Sequence, residues 1–251
     1  MGTVKKQDIY FAFGATIFFA PFVVSTAVYN LYAEINEHHG MIMSFLKFAI
    51  LATLGEVIGL RIRTGQYSTK GFGILPRAVV WGFLGLTIKL AMIIFSTGTP
   101  IFVQYLGLRN AVASMNAPLS PAKALTAFSI SVAMNCCFAP VMMTLHKITD
   151  THIHNNGGTL RGLFRPIQTA KILSELNWKI QCNFVFKKTI PLFWIPAHTV
   201  TFLLPENMQV LFAAMLGVAL GVILAVASQM GNRVGVPGNA KIGVTHHNTP
   251  K

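Results

Sequence analysis

The sequence predicts an all-α fold: a polytopic membrane bundle of about six transmembrane helices, with one further amphipathic helix at the interface. Two observations carry this reading. Six long apolar runs lie at 9–32, 41–60, 78–105, 124–145, 189–204 and 208–230, and a helix needs roughly 20 apolar residues to cross a hydrocarbon core of about 30 Å. The cations are also sorted between the runs. Lys5 and Lys6, then Arg61, Arg63, Lys70 and Arg77, then the basic residues between Lys147 and Lys188, then Arg233, Lys241 and Lys251 all fall in alternate gaps. The other gaps receive only Arg109 and Lys123, and Lys47 and Lys89 lie inside runs. Cytoplasmic loops retain positive charge, so this alternation puts both termini in the cytoplasm.

Composition agrees with a membrane bundle. Of 251 residues 53% are hydrophobic and 11% charged, where a soluble domain carries about 25% charged residues. The net charge of +13 serves loops facing anionic lipid headgroups, so membrane lipids are the expected partners and nucleic acid is not. The expected location is the cytoplasmic (inner) membrane of a bacterium. Residues 1–230 read as one integral membrane domain and 231–251 as a flexible cytoplasmic tail.

The first run follows Lys5 and Lys6 but is about twice as long as the 7–15 apolar residues of a cleaved leader, so it reads as an uncleaved span. Lys6 stands where a myristoylation signal wants Ser or Thr. The second run stops at Arg61, before a Gly-rich basic loop ending Leu75-Pro76-Arg77. The third is the longest, and the fourth ends at His146-Lys147. In the long polar segment that follows, Ile172, Leu173, Leu176, Trp178, Ile180 and Phe184 recur mostly on one helical face. That pattern is the interfacial helix; a helix packed under the bundle in water is the alternative. Pro191 and Pro196 in the fifth run imply a kinked or broken helix. The last run carries small residues at steps of four, Ala213, Gly217, Gly221 and Ala225. Such a stripe admits close helix approach, within the bundle by preference, or else between two copies in a homo-oligomer.

Polar groups inside spans are costly and are candidates for function. Counting 1.5 Å per residue from the cytoplasmic ends puts Lys89 and Asn135 about 16 Å deep, His198 about 15 Å and Glu56 about 8 Å. The expected polar cluster is therefore Glu56, Lys89, Asn135 and His198, with Lys89 leaning toward Glu56. It either lines a path or cements the helices. Lys47, near the outer end, is expected to snorkel. His146, Asp150, His152 and His154 crowd one loop, but their spacing matches no closed metal site. Cys136, Cys137 and Cys182 form no CxxC pair. The sequence contains no phosphate loop, nucleophile elbow or His-Glu zinc helix. No metal, no cofactor and no enzyme activity is expected.

The stretch Trp194-Ile195-Pro196-Ala197-His198-Thr199-Val200-Thr201-Phe202-Leu203-Leu204-Pro205, followed by Gln209-Val210 and a last apolar span, resembles the C-terminal signature of the Mpv-seventeen and peroxisomal twenty-two-kilodalton membrane protein family. Leu54-Gly55-Glu56 resembles that family's Gly-Asp step, and Gly98-Thr99-Pro100 with Tyr105-Leu106 its Gly-Pro and Trp-Tyr-Leu step. The resemblance covers about 42–230, and 46–56, 135–140 and 143–150 look like its bacterial branch. Trp194, Pro196, Phe202 and Pro205 are the motif positions; His198, Thr201 and Gln209 replace the usual Gln, Asn and Arg. The resemblance implies an all-helical membrane protein that conducts small solutes.

The leading expectation is a channel or facilitator for small polar or anionic solutes, gated near His198 and responsive to pH. The alternative is a non-transporting structural or partner-binding membrane protein. Third comes a membrane enzyme using Glu56 or the loop histidines.

Overall fold

A computed structural model describes residues 5–233, with side chains as far as Val226. Of the tail expected at 231–251, all beyond Arg233 lies outside the described residues. Every element among the described residues is helical. Four helices are long and apolar enough to cross a membrane: α1 (Lys6–Val24), α3 (Gly40–Thr64), α4 (Ile74–Tyr105) and α12 (Glu206–Arg233). A fifth crossing is counted if α6 (Pro121–Cys137) and α7 (Ala139–Asn155), bent by 45°, form one span.

Local chemistry sets the ends of these helices. Gly65 closes α3 in the left-handed region (φ 76°), its N–H returning to Arg61 O, a conformation that suits a residue without Cβ. Ser120 caps α6 through Lys123 N at 3.2 Å, and Pro121 occupies the first turn, where its missing N–H costs nothing. Pro140, in the first turn of α7, cannot donate back to the carbonyl of Cys136, which accounts for the bend.

The fifth apolar run, expected as a further crossing, is not among the helices long and apolar enough to span a membrane. Residues 181–194 are a π-helix with Pro191 inside it, and α11 (Ile195–Leu203) follows directly. The wide turns absorb Pro191, which a regular α-helix interior would not tolerate, and Pro196 falls in the first turn of α11, where a missing N–H is accepted. Leu204, extended before Pro205, ends the segment.

The expected interfacial helix is also corrected. Helix α9 (Thr169–Glu175) stops at extended Leu176, and the Asn177 side chain then caps a new helix at Trp178 through Ile180 N. Asparagine competes with the helix for backbone hydrogen bonds, so the apolar positions from Ile172 to Phe184 do not form one face. Ile172 is buried, whereas Trp178, Ile180 and Phe184 are exposed.

The core joins α3, α4, α6, α11 and α12 around Phe48, Ile88, Ile130, Met134 and Phe202. Helices α3 and α12 touch backbone to backbone. A Cβ on Gly55 would stand 2.7 Å from Val218 Cα, and one on Gly221 would stand 3.0 Å from Gly55 O. Ala213 and Ala225 of the ladder are buried too. Helix α1 buries no residue, and large apolar side chains cover it. It meets the bundle at its start, where Asp8 pairs with Arg61 at 2.6 Å and Tyr67 stacks on Phe11. Helix α2 (Thr26–His38) turns away at Ser25 and covers the start of α3.

Candidate functional site

Near the basic ends of α3, α4 and α7 lies a partly buried ionic cluster. Glu56 projects from α3, Arg77 from the first turn of α4, and His146 and Asp150 from successive turns of α7. Glu56 Oε1 accepts from Trp81 Nε1 at 2.8 Å and from His146 Nε2 at 3.0 Å. Arg77 Nη1 bridges Glu56 Oε2 and Asp150 Oδ1, and Arg77 Nε donates to Phe72 O at 2.7 Å. Burying these charges is tolerable only because each finds a partner.

Glu56, His146 and Asp150 bring ligand atoms within 4.8 Å of one another, a donor set of the kind divalent metals accept. Here the guanidinium of Arg77 already sits between the two carboxylates. The cation such a trio calls for is supplied by the chain itself.

Deeper in the bundle, Asn135 of α6 meets His198 of α11, Nδ2 to Nδ1 at 3.0 Å. The same Nδ2 donates to Ser131 O at 2.9 Å. A carbonyl only accepts, so the amide nitrogen faces this way and its second hydrogen points to His198. His198 Nδ1 is therefore the acceptor, and the neutral ring carries its proton on Nε2. Ser131 Oγ donates to Ile195 O at 2.7 Å and locks α6 to α11. Two buried atoms in this group have no hydrogen-bond partner: the acceptor Asn135 Oδ1 and the donor Trp194 Nε1. Trp194 lies one turn before His198, ring centroids 5.1 Å apart.

One cavity of about 300 Å³ joins the two groups. Glu56 and His146 stand on its wall, as do Asn135, Trp194 and His198. Most of the remaining lining is apolar, including Phe48, Met134, Met142 and Leu220. Leu224, partly exposed, brings it to the outer face of α12. Gly217 lies on the cavity wall, and a Cβ there would meet nothing within 4 Å. The missing side chain is part of what keeps the space open.

Glu56, Asn135 and His198 thus share the cavity, and Lys89 does not. Its ammonium lies 3.5 Å from Glu206 at the start of α12. The depth count matched Lys89 to His198 by distance from the span ends. Helix α11 has only nine residues, so the turn carrying Glu206 comes level with the middle of the 32-residue α4. Glu56 takes Arg77, which the sequence puts at the end of the Gly-rich basic loop after the second run. Lys47 does not snorkel: it is buried, bonded to Asn36 and set 5.2 Å from the Tyr32 ring centroid. His152 is buried in a structural role, Nε2 against Leu163 O at 3.1 Å.

Of the motif positions, Trp194 lines the cavity, Phe202 is core, and Pro196 and Pro205 shape the ends of α11. Sequence reasoning missed Arg77, Trp81 and His146 as partners of Glu56. A signal existed. The chain holds only seven carboxylates against twenty Lys and Arg, so an acid in an apolar run has a base within reach of it. Comparison with protein-family models, with curated proteins and with solved structures finds no match to this chain.

Proposed function

We propose that the protein is a membrane facilitator for small, neutral polar solutes, with the cavity between Glu56 and His198 as its solute site. One observation carries the reading: a cavity within the helical bundle is lined by Asn135 and Trp194, residues that each hold a buried polar atom without a hydrogen-bond partner. Packing alone gains nothing from an orphaned donor and acceptor, since each costs about 1–3 kcal/mol.

Charge narrows the solute class from polar or anionic to neutral. Lys89 is engaged with Glu206 away from the cavity, and Arg77 is neutralised by two carboxylates. The reading takes six crossings: α1, α3, α4, the bent α6–α7 pair, the π-helix with α11, and α12. Both termini are then cytoplasmic in a bacterial inner membrane, as the alternation of cations favours. Membership of the Mpv-seventeen and peroxisomal twenty-two-kilodalton family belongs to the same proposal and rests on the motif order over 42–230.

The test is flux into liposomes carrying the purified protein. Wild type is expected to pass small neutral polyols and amides faster than protein-free vesicles do. Gly217→Leu, which fills the cavity, is expected to abolish that difference, and Lys89→Ala to keep it. No flux above protein-free vesicles overturns the proposal in favour of a non-transporting membrane protein.

A further inference from the structure

The cavity has a chemical polarity of its own. Its Glu56 end is saturated: that carboxylate already binds Trp81, His146 and Arg77. Its other end is not. Asn135 Oδ1 is an acceptor without a donor, and Trp194 Nε1 a donor without an acceptor. His198 Nε2 adds a second donor, because Nδ1 is taken by the Asn135 amide. Between the ends the wall is apolar, with Phe48, Met134, Met142 and Leu220. Ligand sites have this make-up: an apolar lining with a few converging polar groups. The volume of about 300 Å³ is twice that of a benzene-binding cavity of about 150 Å³.

We infer that the cavity is a binding site for one small uncharged amphiphile: a short apolar chain ending in a group that both donates and accepts hydrogen bonds, of which a primary amide is the simplest case. The amide N–H meets Asn135 Oδ1. The amide oxygen accepts from Trp194 Nε1 or His198 Nε2. The chain lies along Met134, Met142 and Leu220 toward Leu224, where the cavity reaches the outer face of α12. A charged head is disfavoured, because the described lining residues put no free counter-charge at this end. This ligand class rests on the solute-site reading and gives that site its substrate.

The experiment uses the full chain in nanodiscs, in a Trp178→Phe background so that only Trp81 and Trp194 emit; both line the cavity. The probe is 6-bromohexanamide, whose bromine quenches tryptophan, and 1-bromoheptane is the control without the amide. The amide is expected to quench saturably and the bromoalkane only in proportion to its partition into lipid. Gly217→Leu is expected to remove the saturable component, its Cβ entering open space. Asn135→Leu is expected to weaken amide binding by at least about tenfold, with its melting temperature checked in parallel. Amide and bromoalkane quenching alike, with no saturation in wild type, overturn the inference. So does saturable quenching that survives in Gly217→Leu. Saturable binding without liposome flux sustains the ligand class and overturns the facilitator. Flux without saturable binding does the reverse.

Discussion

The amide nitrogen of Asn135 lies 3.0 Å from Nδ1 of His198, 63 residues further along the chain, across the interface of two helices. Ser131, one turn before Asn135, fixes that amide and also holds the carbonyl of Ile195. Asn135, held in turn by Ser131, thus settles the orientation of the imidazole and leaves its second nitrogen for the cavity.

Replacing His198 with alanine removes the cross-helix acceptor of the Asn135 amide and leaves its nitrogen only Ser131 O and Oγ, at 2.9 and 3.2 Å. Such a loss costs about 1–3 kcal/mol. His198→Gln, which restores an acceptor, is expected to recover most of it. Thermal unfolding in detergent, read by the two variants against wild type, checks this. Equal stability of His198→Ala and wild type would refute the bond's role.

Removing Arg77 takes the shared guanidinium from two carboxylates, leaving Glu56 to Trp81 and His146, and Asp150 to His146 at 3.9 Å. Arg77→Ala is expected to cost about 3–5 kcal/mol, the usual penalty for an unpaired buried charge. The triple variant Arg77→Met, Glu56→Gln, Asp150→Asn removes the whole charge set and is expected to stand closer to wild type than Arg77→Ala does. A denaturation series over these variants decides it.

Two glycines of the α3–α12 contact are expected to behave in opposite ways. A methyl at Gly55 would stand 2.7 Å from Val218 Cα, so Gly55→Ala forces the helices apart at about 1–3 kcal/mol. At Gly217 a methyl meets nothing within 4 Å, so Gly217→Ala is neutral or stabilising by up to about 1 kcal/mol. Melting temperatures of the two single variants separate them.

Alkali is expected to loosen the start of α1. Tyr67, in the loop after α3, donates to Asp8 Oδ1 at 2.7 Å. Burial first, and the adjacent carboxylate second, raise its pKa above the ordinary 10.0. A group with a raised folded-state pKa stabilises fully below its unfolded value and less as pH climbs through the folded one. Limited proteolysis near residue 8 is therefore expected to accelerate above about pH 10 in wild type. In Tyr67→Phe the step at that pH is expected to vanish.

Much of the architecture was legible in the chain. Apolar length marked α1, α3, α4 and α12, because nothing shorter than about 20 residues crosses a bilayer core. The four-residue ladder marked the face of α12 that meets another helix, because a helix repeats every 3.6 residues. Pro191 and Pro196 announced a break without revealing that a π-helix would absorb it. Asn177 showed its effect only as a cap, since the same residue is tolerated mid-helix when tertiary contacts reward it.

The sequence by itself determined which segments are apolar, where they stop and where positive charge gathers. Those properties are local and follow from side-chain chemistry along a single helix. Only the tertiary structure decided which polar residues meet. Depth along a span is one coordinate, and it grouped Lys89 with Asn135 and His198. The rotation of each helix and the shortness of α11 are the others, and they sent Lys89 to Glu206 and brought Glu56 to Arg77. Partner choice among buried polar groups depends on distances of a few ångströms between helices, and no pattern within one helix encodes them.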